Sequence, residues 1–308
     1  MRVIIPGGTG LIGRSLVALL AGDDYEIIVV SRQPILAAQK FRQQGLTSVQ
    51  VVEWDAQTAH GWGALINKDS AIINLAGTSP AHWRWTRAYR ARILESRLHA
   101  GRAIMQAMER YGSPAVLVQA SASGYYGDRG RELLTEASSP GQGFRAKVCQ
   151  EWEASTADAQ IRRCLIRTGL VLDCHEGAFP PLLHFARLFG RQVGDGQQWI
   201  PWIHKADVAR AIQFLLQHQE LVGPFNLCAP QAVTNREFVS IVRQMLKRRP
   251  LFPLPAFVLR ALLGELSTVV LDSQHLLPQY LTEANFQFAY PLLEQALHHL
   301  LRETSLRI

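Results

Sequence analysis

The sequence predicts an α/β fold in which a doubly wound parallel sheet is joined to a smaller C-terminal lobe. Short apolar segments rich in valine and isoleucine alternate with segments of helical periodicity through the first 170 residues. This alternation is typical of parallel strands connected by right-handed helical crossovers. After residue 170 the pattern changes to loops and to helices interrupted by prolines. The change of pattern indicates a second, smaller unit after the sheet.

We assign residues 1–170 to the sheet domain and expect residues 201–230 to return to it. Residues 171–200 and 231–308 are assigned to the smaller lobe, which we expect on the substrate side. A chain of 308 residues is long enough for one large domain or two smaller ones.

The first 32 residues contain the most specific pattern. An apolar strand, Arg2–Ile5, is followed by a helix from Leu11 to about Ala21 and a second strand, Glu26–Ser31. Between strand and helix lies a glycine loop: Gly7, Gly8, Thr9, Gly10, Leu11, Ile12 and Gly13. Its glycines allow a tight turn, a close approach of backbone N–H groups to a pyrophosphate, and close packing of the helix. The helix N-terminus adds partial positive charge, so the pattern predicts a Rossmann-type dinucleotide site.

The residues after the second strand indicate which dinucleotide binds. NAD sites usually place Asp or Glu here to hold the ribose 2′-hydroxyl, whereas this chain has Ser31 and Arg32. A guanidinium can pair with a 2′-phosphate, and a hydroxyl can add a hydrogen bond. The pair therefore favours NADP (NADPH) over NAD, with a solvated surface arginine as the alternative interpretation of Arg32.

The next elements continue the alternation. Further strands are predicted at Ser48–Glu53, Ala71–Leu75, Ala115–Ala120 and Arg163–Arg167. Helices are predicted at about Pro34–Gln44, Thr86–Tyr111 and Arg145–Ala159. Ligands of such sheets bind beyond the carboxyl ends of the strands, which is where the polar and glycine-rich segments of this chain lie.

The later part of the chain is less regular. Ile203–Gln217 is predicted as a turn into a helix, and Pro224–Cys228 as a strand. Thr234 and Glu237 have the spacing of a capping box and predict a helix to about Lys247. Residues 249–308 are predicted as helices punctuated by prolines.

Composition narrows the class of protein. The net charge is +7 and 48% of the residues are hydrophobic, but no apolar run reaches the roughly 18 residues of a transmembrane helix. The first strand begins at once, so we expect no signal peptide. The four cysteines lack metal-site spacing, so we predict no metal site, and reduced thiols favour a cytoplasmic protein.

Part of the positive charge lies around one predicted helix, in Arg84, Arg87, Arg90, Arg92, Arg97 and Arg102. A basic helix can meet nucleic acid or a membrane, but the nearby aromatic residues form no recognisable stacking platform. We therefore expect a small-molecule substrate as partner, with no nucleic acid and no membrane. A solvated face and an anionic ligand held by one or two arginines both remain open.

Several motifs in order resemble the extended short-chain dehydrogenase/reductase superfamily: the glycine loop, Asp55, Asn74–Gly77 and Ser121–Gly127. The finer resemblance is to its atypical branch, the sugar-nucleotide-epimerase-like proteins with a C-terminal domain of unknown function. That branch is indicated by Arg84-Trp85-Thr86, Ser96-Arg97, Gly124–Gly127, Trp152-Glu153, Trp202-Ile203-His204 and the tail from Gly264 to Pro278. The resemblance implies that Asp55 contacts the adenine amino group. It also implies that Leu75, Ala76 and Gly77 run along the cofactor, and it makes a homodimer plausible.

The resemblance also exposes a departure in the catalytic residues. Members of the superfamily use a Ser or Thr together with a Tyr and a Lys four residues apart, in which the tyrosine moves the hydroxyl proton. Here Gly143 stands four residues before Lys147, so the pair is absent. We predict that Ser121 or Ser123 holds the substrate oxygen and that Tyr125 or Tyr126 supplies the proton, with Lys147 assisting. Structural tyrosines, a Cys149 acid/base and cofactor binding without turnover are the alternatives.

Four more residues are predicted to line a substrate pocket. His204 titrates near neutrality if it faces the cleft, and Trp199 and Trp202 can stack on a substrate. Arg97 is a candidate for an anionic group. Two functions follow: an NADP-dependent oxidoreductase or epimerase acting on a small carbonyl compound or nucleotide sugar, or an NADP-binding regulatory or scaffold protein.

Overall fold

The computed structural model describes residues 1–80, 85–189, 192–246 and 264–303, together with residue 257. The strands within these ranges are β1 (Arg2–Pro6), β2 (Glu26–Ser31), β3 (Gln50–Glu53), β4 (Ser70–Asn74), β5 (Val116–Ala122), β6 (Leu133–Leu134), β7 (Arg162–Thr168), β8 (Leu170–Leu172), β9 (Trp199–Ile200), β10 (Trp202–His204), β11 (Gly223–Leu227), β12 (Val233–Thr234) and β13 (His275–Leu276). Seven of them form a parallel sheet in the order β11-β7-β5-β4-β1-β2-β3. The predicted doubly wound α/β fold is confirmed.

Helices connect these strands. They are α1 (Leu11–Leu20), α2 (Pro34–Gln43), α3 (Arg87–Tyr111), α4 (Phe144–Ala154), α5 (Phe179–Phe189), α6 (Lys205–Gln217), α7 (Asn235–Met245), α8 (Thr268–Leu271), α9 (Gln279–Glu283) and α10 (Leu293–Glu303). Short 3-10 helices lie at Gly63–Leu65, Ser123–Tyr126 and Gly264–Ser267. In the described part of the chain, no helix has the length and apolarity needed to cross a bilayer.

Both faces of the sheet are buried, because successive residues of a strand point to opposite sides. Val3 and Ile5 on β1 pack with Leu16 of α1 and Ile212 of α6. Ile4, between them, packs in a separate cluster with Ile104 of α3. Continuous runs of valine and isoleucine therefore form strands covered by helices on both sides.

A third apolar cluster forms the core of the smaller lobe. It contains Leu172 after β7, Phe179 of α5, Phe238 of α7 and Leu297 of α10. The Thr234–Glu237 capping box is confirmed, because each side chain accepts a hydrogen bond from the other residue's backbone N–H. The predicted end of this helix at Lys247 and the segment after residue 249 fall partly outside the described residues.

Apart from shifts of one or two residues at the ends of several strands and helices, two elements differ from the sequence prediction. Helix α4 ends at Ala154 rather than Ala159, because the Ser155 hydroxyl donates to the carbonyl of Trp152 (2.7 Å) and the chain turns there. The predicted turn before α6 is instead the short strand β10, which pairs with β8 and brings the lobe against the sheet. Strand β11 pairs with β7 at the sheet edge.

Candidate functional site

A cavity of about 430 Å³ opens at the carboxyl ends of β1, β4, β5 and β7. On one side it is lined by the glycine loop and the turn after β4, and on the other by α4. The lobe closes it with apolar side chains: Leu182, Val193, Phe238, Val239, Val269 and Val270. The cavity therefore runs from the predicted phosphate loop to the junction between sheet and lobe, which is where doubly wound sheets bind their ligands.

At Gly7 and Gly13 the glycine loop has no room for a larger side chain. A Cβ on Gly13 would lie 2.5 Å from the Cα of Gly8, and one on Gly7 would lie 2.6 Å from the carbonyl group of Leu75. Gly7 also has a positive φ of 82°. Helix α1 begins after Gly10 without a side-chain cap, so its first N–H groups remain available to an anion. The loop thus fits the pyrophosphate of a dinucleotide.

A smaller pocket of about 130 Å³ lies beside the loop at the end of β2. It is lined by Thr9, Arg14, Ser31, Gln33, Leu36, Ala37, Lys40 and Phe41. Arg32 is exposed and is not among these residues. Two other basic residues of this pocket, Arg14 of α1 and Lys40 of α2, were not predicted from the sequence. Their positions on the helices that follow the glycine loop and β2 were the available signal.

Asp55 lies in the turn after β3, where its carboxylate is occupied by local hydrogen bonds. Oδ1 accepts from the backbone N–H groups of Gln57 and Thr58 (2.8 Å each), and Oδ2 accepts from the Thr58 hydroxyl (2.8 Å). Burial acts to raise the pKa of Asp55, but these hydrogen bonds outweigh it and lower the pKa. Its contact with adenine stays a prediction.

The two candidate serines both line the cavity, but their environments differ. The Ser121 hydroxyl donates to Oε1 of Glu153 (2.6 Å). That carboxylate is held by Arg167 through two parallel hydrogen bonds of 3.0 Å, a strong bidentate geometry. Ser123 begins the 3-10 helix after β5, and no such acceptor is recorded for its hydroxyl within the described ranges.

Tyr126 points away from the cavity into the core. The side chain is fully buried. Its hydroxyl donates to Oδ1 of Asn226 (2.7 Å) and accepts from Nη1 of Arg167 (3.0 Å). Burial raises the pKa of Tyr126 to about 12, despite the opposing effect of Arg167. This hydroxyl joins β7 to β11 and does not line the cavity.

Tyr125 and Lys147 also lie outside the cavity lining. The Tyr125 ring is stacked under the Arg167 guanidinium, 3.5 Å from Cζ to the ring centroid. Lys147 is on the outer side of α4, with 72% of its side chain exposed and a 3.7 Å ion pair to Glu151. The structure thus places both serines in the cavity wall, whereas Tyr125, Tyr126 and Lys147 lie outside its lining.

Other residues of α4 occupy the cavity wall: Phe144, Arg145, Val148, Cys149 and Trp152. Arg145 donates through Nη1 to Oδ2 of Asp272 and to the carbonyl of Thr268 (3.1 Å each), which ties the lobe to this helix. Burial raises the pKa of the Cys149 thiol, so the thiol stays protonated near neutral pH. Helical phase was the missed signal, because residues 145 and 149 share a face and residue 147 lies on the opposite one.

The predicted pocket residues separate in the same way. Trp199 lines the cavity and stacks on His275, with ring centroids 3.9 Å apart. Trp202 is buried in the lobe and donates from Nε1 to the carbonyl of Gln231 (2.9 Å). His204 is fully buried outside the cavity lining, where its Nδ1 accepts from the N–H of Ala206 (3.1 Å) and caps α6.

Burial lowers the pKa of His204 to about 3, with His299 and Lys205 acting in the same direction. Its ring lies 3.9 Å from the ring of Tyr290, measured between centroids. Arg97 remains in the cavity wall, 8% exposed. Across the described residues, no three His, Cys, Asp or Glu side chains come together as a metal site.

Comparison with known proteins adds the family. Residues 3–228 match the model of the NAD dependent epimerase/dehydratase family, and residues 254–300 match a domain of unknown function, DUF1731. Epimerase family protein SDR39U1 homolog, chloroplastic, from Arabidopsis thaliana is 34% identical over 98% of this chain and 87% of its own. Epimerase family protein YfhF from Bacillus subtilis is 31% identical over 98% and 99%.

A solved structure agrees with these relatives. The crystal structure of human epimerase family protein SDR39U1 (isoform 2) with NADPH has a TM-score of 0.86 to this chain and 29% identity, covering 98% of this chain and 99% of that one. MoeE5 in complex with UDP-glucose and NAD, at 20% identity and a TM-score of 0.75, shares the fold. The chain belongs to the NAD dependent epimerase/dehydratase family, in the atypical short-chain dehydrogenase/reductase branch that carries the DUF1731 domain.

Proposed function

We propose that the protein is an NADP(H)-dependent oxidoreductase or epimerase that acts on a small carbonyl compound or a nucleotide sugar. The observation that carries this proposal is the continuous cavity between the glycine loop and the lobe, because it offers room for a reactant beside the reactive end of a bound dinucleotide. The apolar side chains on the lobe side favour a substrate with an apolar part over a fully hydroxylated sugar.

The preference for NADP(H) is supported by the cations near the smaller pocket at the end of β2, which we call the adenosine pocket because the adenosine ribose of a Rossmann-bound dinucleotide is expected there. Lys40 lines that pocket and Arg32 follows Ser31 at its edge, and a 2′-phosphate is the group that such cations bind. Arg14 also lines the pocket, but its guanidinium is already paired with Glu176 (2.6 Å). The human relative was solved with NADPH, which is consistent with the same cofactor here.

When bound, NADP(H) supplies or accepts a hydride at the substrate carbon. Ser123 is the better candidate to hold the substrate oxygen, because the Ser121 hydroxyl hydrogen is already donated to Glu153. Ser121 can still accept a hydrogen bond through its lone pairs. In a reduction, the proton that balances the hydride must reach the substrate oxygen from a donor in this part of the cavity or from water. Tyr126, hydrogen-bonded elsewhere, does not meet this need in the arrangement described.

A comparison of Ser123→Ala and Ser121→Ala tests this assignment. NADPH oxidation is followed with a panel of apolar aldehydes, ketones and nucleotide sugars, and the NADPH dissociation constant is measured for each variant. We expect Ser123→Ala to lower kcat by about 10-fold or more with little change in NADPH affinity. We expect Ser121→Ala to act mainly on stability, because it leaves a Glu153 oxygen with one donor fewer. Equal kcat for Ser123→Ala and the wild type would contradict the assignment.

A second candidate is an NADP(H)-binding regulatory protein without turnover. One observation favours it: the described cavity lining contains no tyrosine and no lysine. Tight NADPH binding with no consumption of NADPH and no epimerisation across the whole panel would support this second function over the first.

A further inference from the structure

Arg97 on α3 is a buried cation with unused hydrogen-bond donors. It is 8% exposed and lines the large cavity. Its Nη1 donates to the carbonyl groups of Thr78 (3.1 Å) and Ile93 (2.8 Å). A guanidinium has five N–H donors, and among the described residues no acceptor is recorded for Nε or Nη2 and no carboxylate pairs with Arg97.

Leaving such a group unpaired is costly. A buried charge is stable only when it is paired or fully hydrogen-bonded, and an arginine does not escape by losing its proton at neutral pH. The Trp152 ring, 4.6 Å from Cζ to its centroid, offers partial compensation through a cation–π contact. The N–H groups on Nε and Nη2 therefore need oxygen acceptors, which we expect a bound ligand to provide.

The position of Arg97 indicates which ligand. It lies against the turn after β4, since a Cβ on Gly77 would be 3.2 Å from Cζ, and the Thr78 N–H donates to Ser96 Oγ (2.9 Å) in support of this contact. In the sheet order, the adenosine pocket belongs to β2, the glycine loop to β1, and Arg97 lies on the far side, between β4 and α4. A dinucleotide that extends from the pocket across the loop brings its nicotinamide half to this place.

The neighbouring helix offers no alternative cation for that half of the cofactor except Arg145. Arg145 is engaged with Asp272, and Lys147 points outward with 72% exposure. In this part of the cavity, α4 contributes Cys149 and Trp152 to the wall. Arg97, from α3, adds a positive charge beside them.

We propose that Arg97 is a cofactor-binding residue that donates from Nε and Nη2 to the ribose and phosphate oxygens of the nicotinamide mononucleotide half of NADP(H). This inference rests on the proposed function, since it requires NADP(H) as the ligand. It moves Arg97 from the substrate pocket, where the sequence alone placed it, to the cofactor site.

Comparing two ligands distinguishes loss of this contact from a general effect of the substitution on folding. NADPH contains the nicotinamide half, whereas 2′,5′-ADP contains only the adenosine half with its 2′-phosphate. Binding of each is measured by titration calorimetry to the wild type, Arg97→Met and Arg97→Lys. We expect Arg97→Met to weaken NADPH by roughly 10- to 100-fold, the loss typical of charge-assisted hydrogen bonds, and to leave 2′,5′-ADP within about twofold. Arg97→Lys keeps the charge without the planar fork, so an intermediate loss is expected.

Arg32→Ala is the matched control, because it should weaken both ligands by a similar factor. The inference is overturned if Arg97→Met binds NADPH like the wild type, or if it weakens NADPH and 2′,5′-ADP equally. Near-UV circular dichroism checks folding, and if Arg97→Met does not fold, the ratio of the two affinities in Arg97→Lys decides. A wild type that binds neither ligand would instead refute the proposed function itself.

Discussion

Replacing Tyr126 by phenylalanine removes one hydroxyl and keeps the ring that fills the core beside Tyr125. In the structure that hydroxyl donates to Asn226 (2.7 Å) and accepts from Arg167 (3.0 Å). It is buried and lies outside the cavity. We therefore expect Tyr126→Phe to reduce the stability of the protein and not its affinity for NADPH.

The magnitude follows from the two hydrogen bonds. A neutral hydrogen bond contributes about 1 kcal/mol and one to a charged group about 1.5–3 kcal/mol. Arg167 Nη1 keeps a second acceptor, the carbonyl of Glu136 (3.2 Å), which offsets part of the loss. The amide oxygen of Asn226, in contrast, loses the Tyr126 donor in a buried place. We expect the free energy of unfolding to fall by about 2–4 kcal/mol.

The assay is urea unfolding of the wild type, Tyr126→Phe and Tyr125→Phe, followed by far-UV circular dichroism, with NADPH titrations alongside. Tyr125→Phe is the matched control: no hydrogen bond of its hydroxyl is recorded in the described part of the chain, and its ring still stacks on Arg167. Its stability should stay within about 0.5 kcal/mol of the wild type. Wild-type stability in Tyr126→Phe, or a large loss of turnover without destabilisation, would refute this reasoning and return Tyr126 to a catalytic role.

Two further predictions concern the glycine loop and the pH dependence of stability. Gly13→Ala places a Cβ 2.5 Å from the Cα of Gly8, so thermal unfolding should show a strongly destabilised protein. At Gly10 an added Cβ would meet nothing closer than 3.4 Å, so Gly10→Ala should fold normally. Its affinity for NADPH should fall at least about 10-fold in a fluorescence titration, because the Cβ projects where phosphates are expected. The reverse pattern would contradict the loop geometry. Burial lowers the pKa of His204 to about 3 in the folded protein, whereas the pKa of the same group in the unfolded chain is about 6.5. The unfolded state therefore binds the proton first, and stability should fall as the pH drops below about 6.5, by up to about 1.4 kcal/mol per pH unit. Urea unfolding at pH 7, 6 and 5 should show this decline in the wild type but a smaller one in His204→Asn, which keeps an N-cap acceptor; identical declines would exclude His204 as the cause.

The parts of the fold that depend on local sequence were predictable. The sheet strands show as apolar runs, and the glycine loop is recognised because its spacing fits one backbone path, with Gly13 against Gly8. Likewise, the capping box at Thr234 is satisfied within four residues. These features require no knowledge of distant contacts.

The orientation of side chains at the site depended on contacts far apart in sequence. Tyr126 turns inward because Asn226, 100 residues later, accepts its hydrogen bond. His204 is buried against Tyr290 of the lobe instead of facing the cleft. Lys147 is the exception, because its outward position follows from the phase of α4 relative to residues 145 and 149 and could have been inferred from the sequence. The compartment stays a prediction, since the relative from Arabidopsis thaliana is named chloroplastic.

The central claim is that the cavity and its adenosine pocket bind NADP(H), with cations selecting the 2′-phosphate. The most direct test is to titrate the purified protein with NADPH and, separately, with NADH, following nicotinamide fluorescence. We expect saturable binding of NADPH with an affinity at least about 10-fold higher than that for NADH. Equal affinity for the two would contradict the role assigned to Arg32 and its neighbours, and binding of neither would contradict the account as a whole.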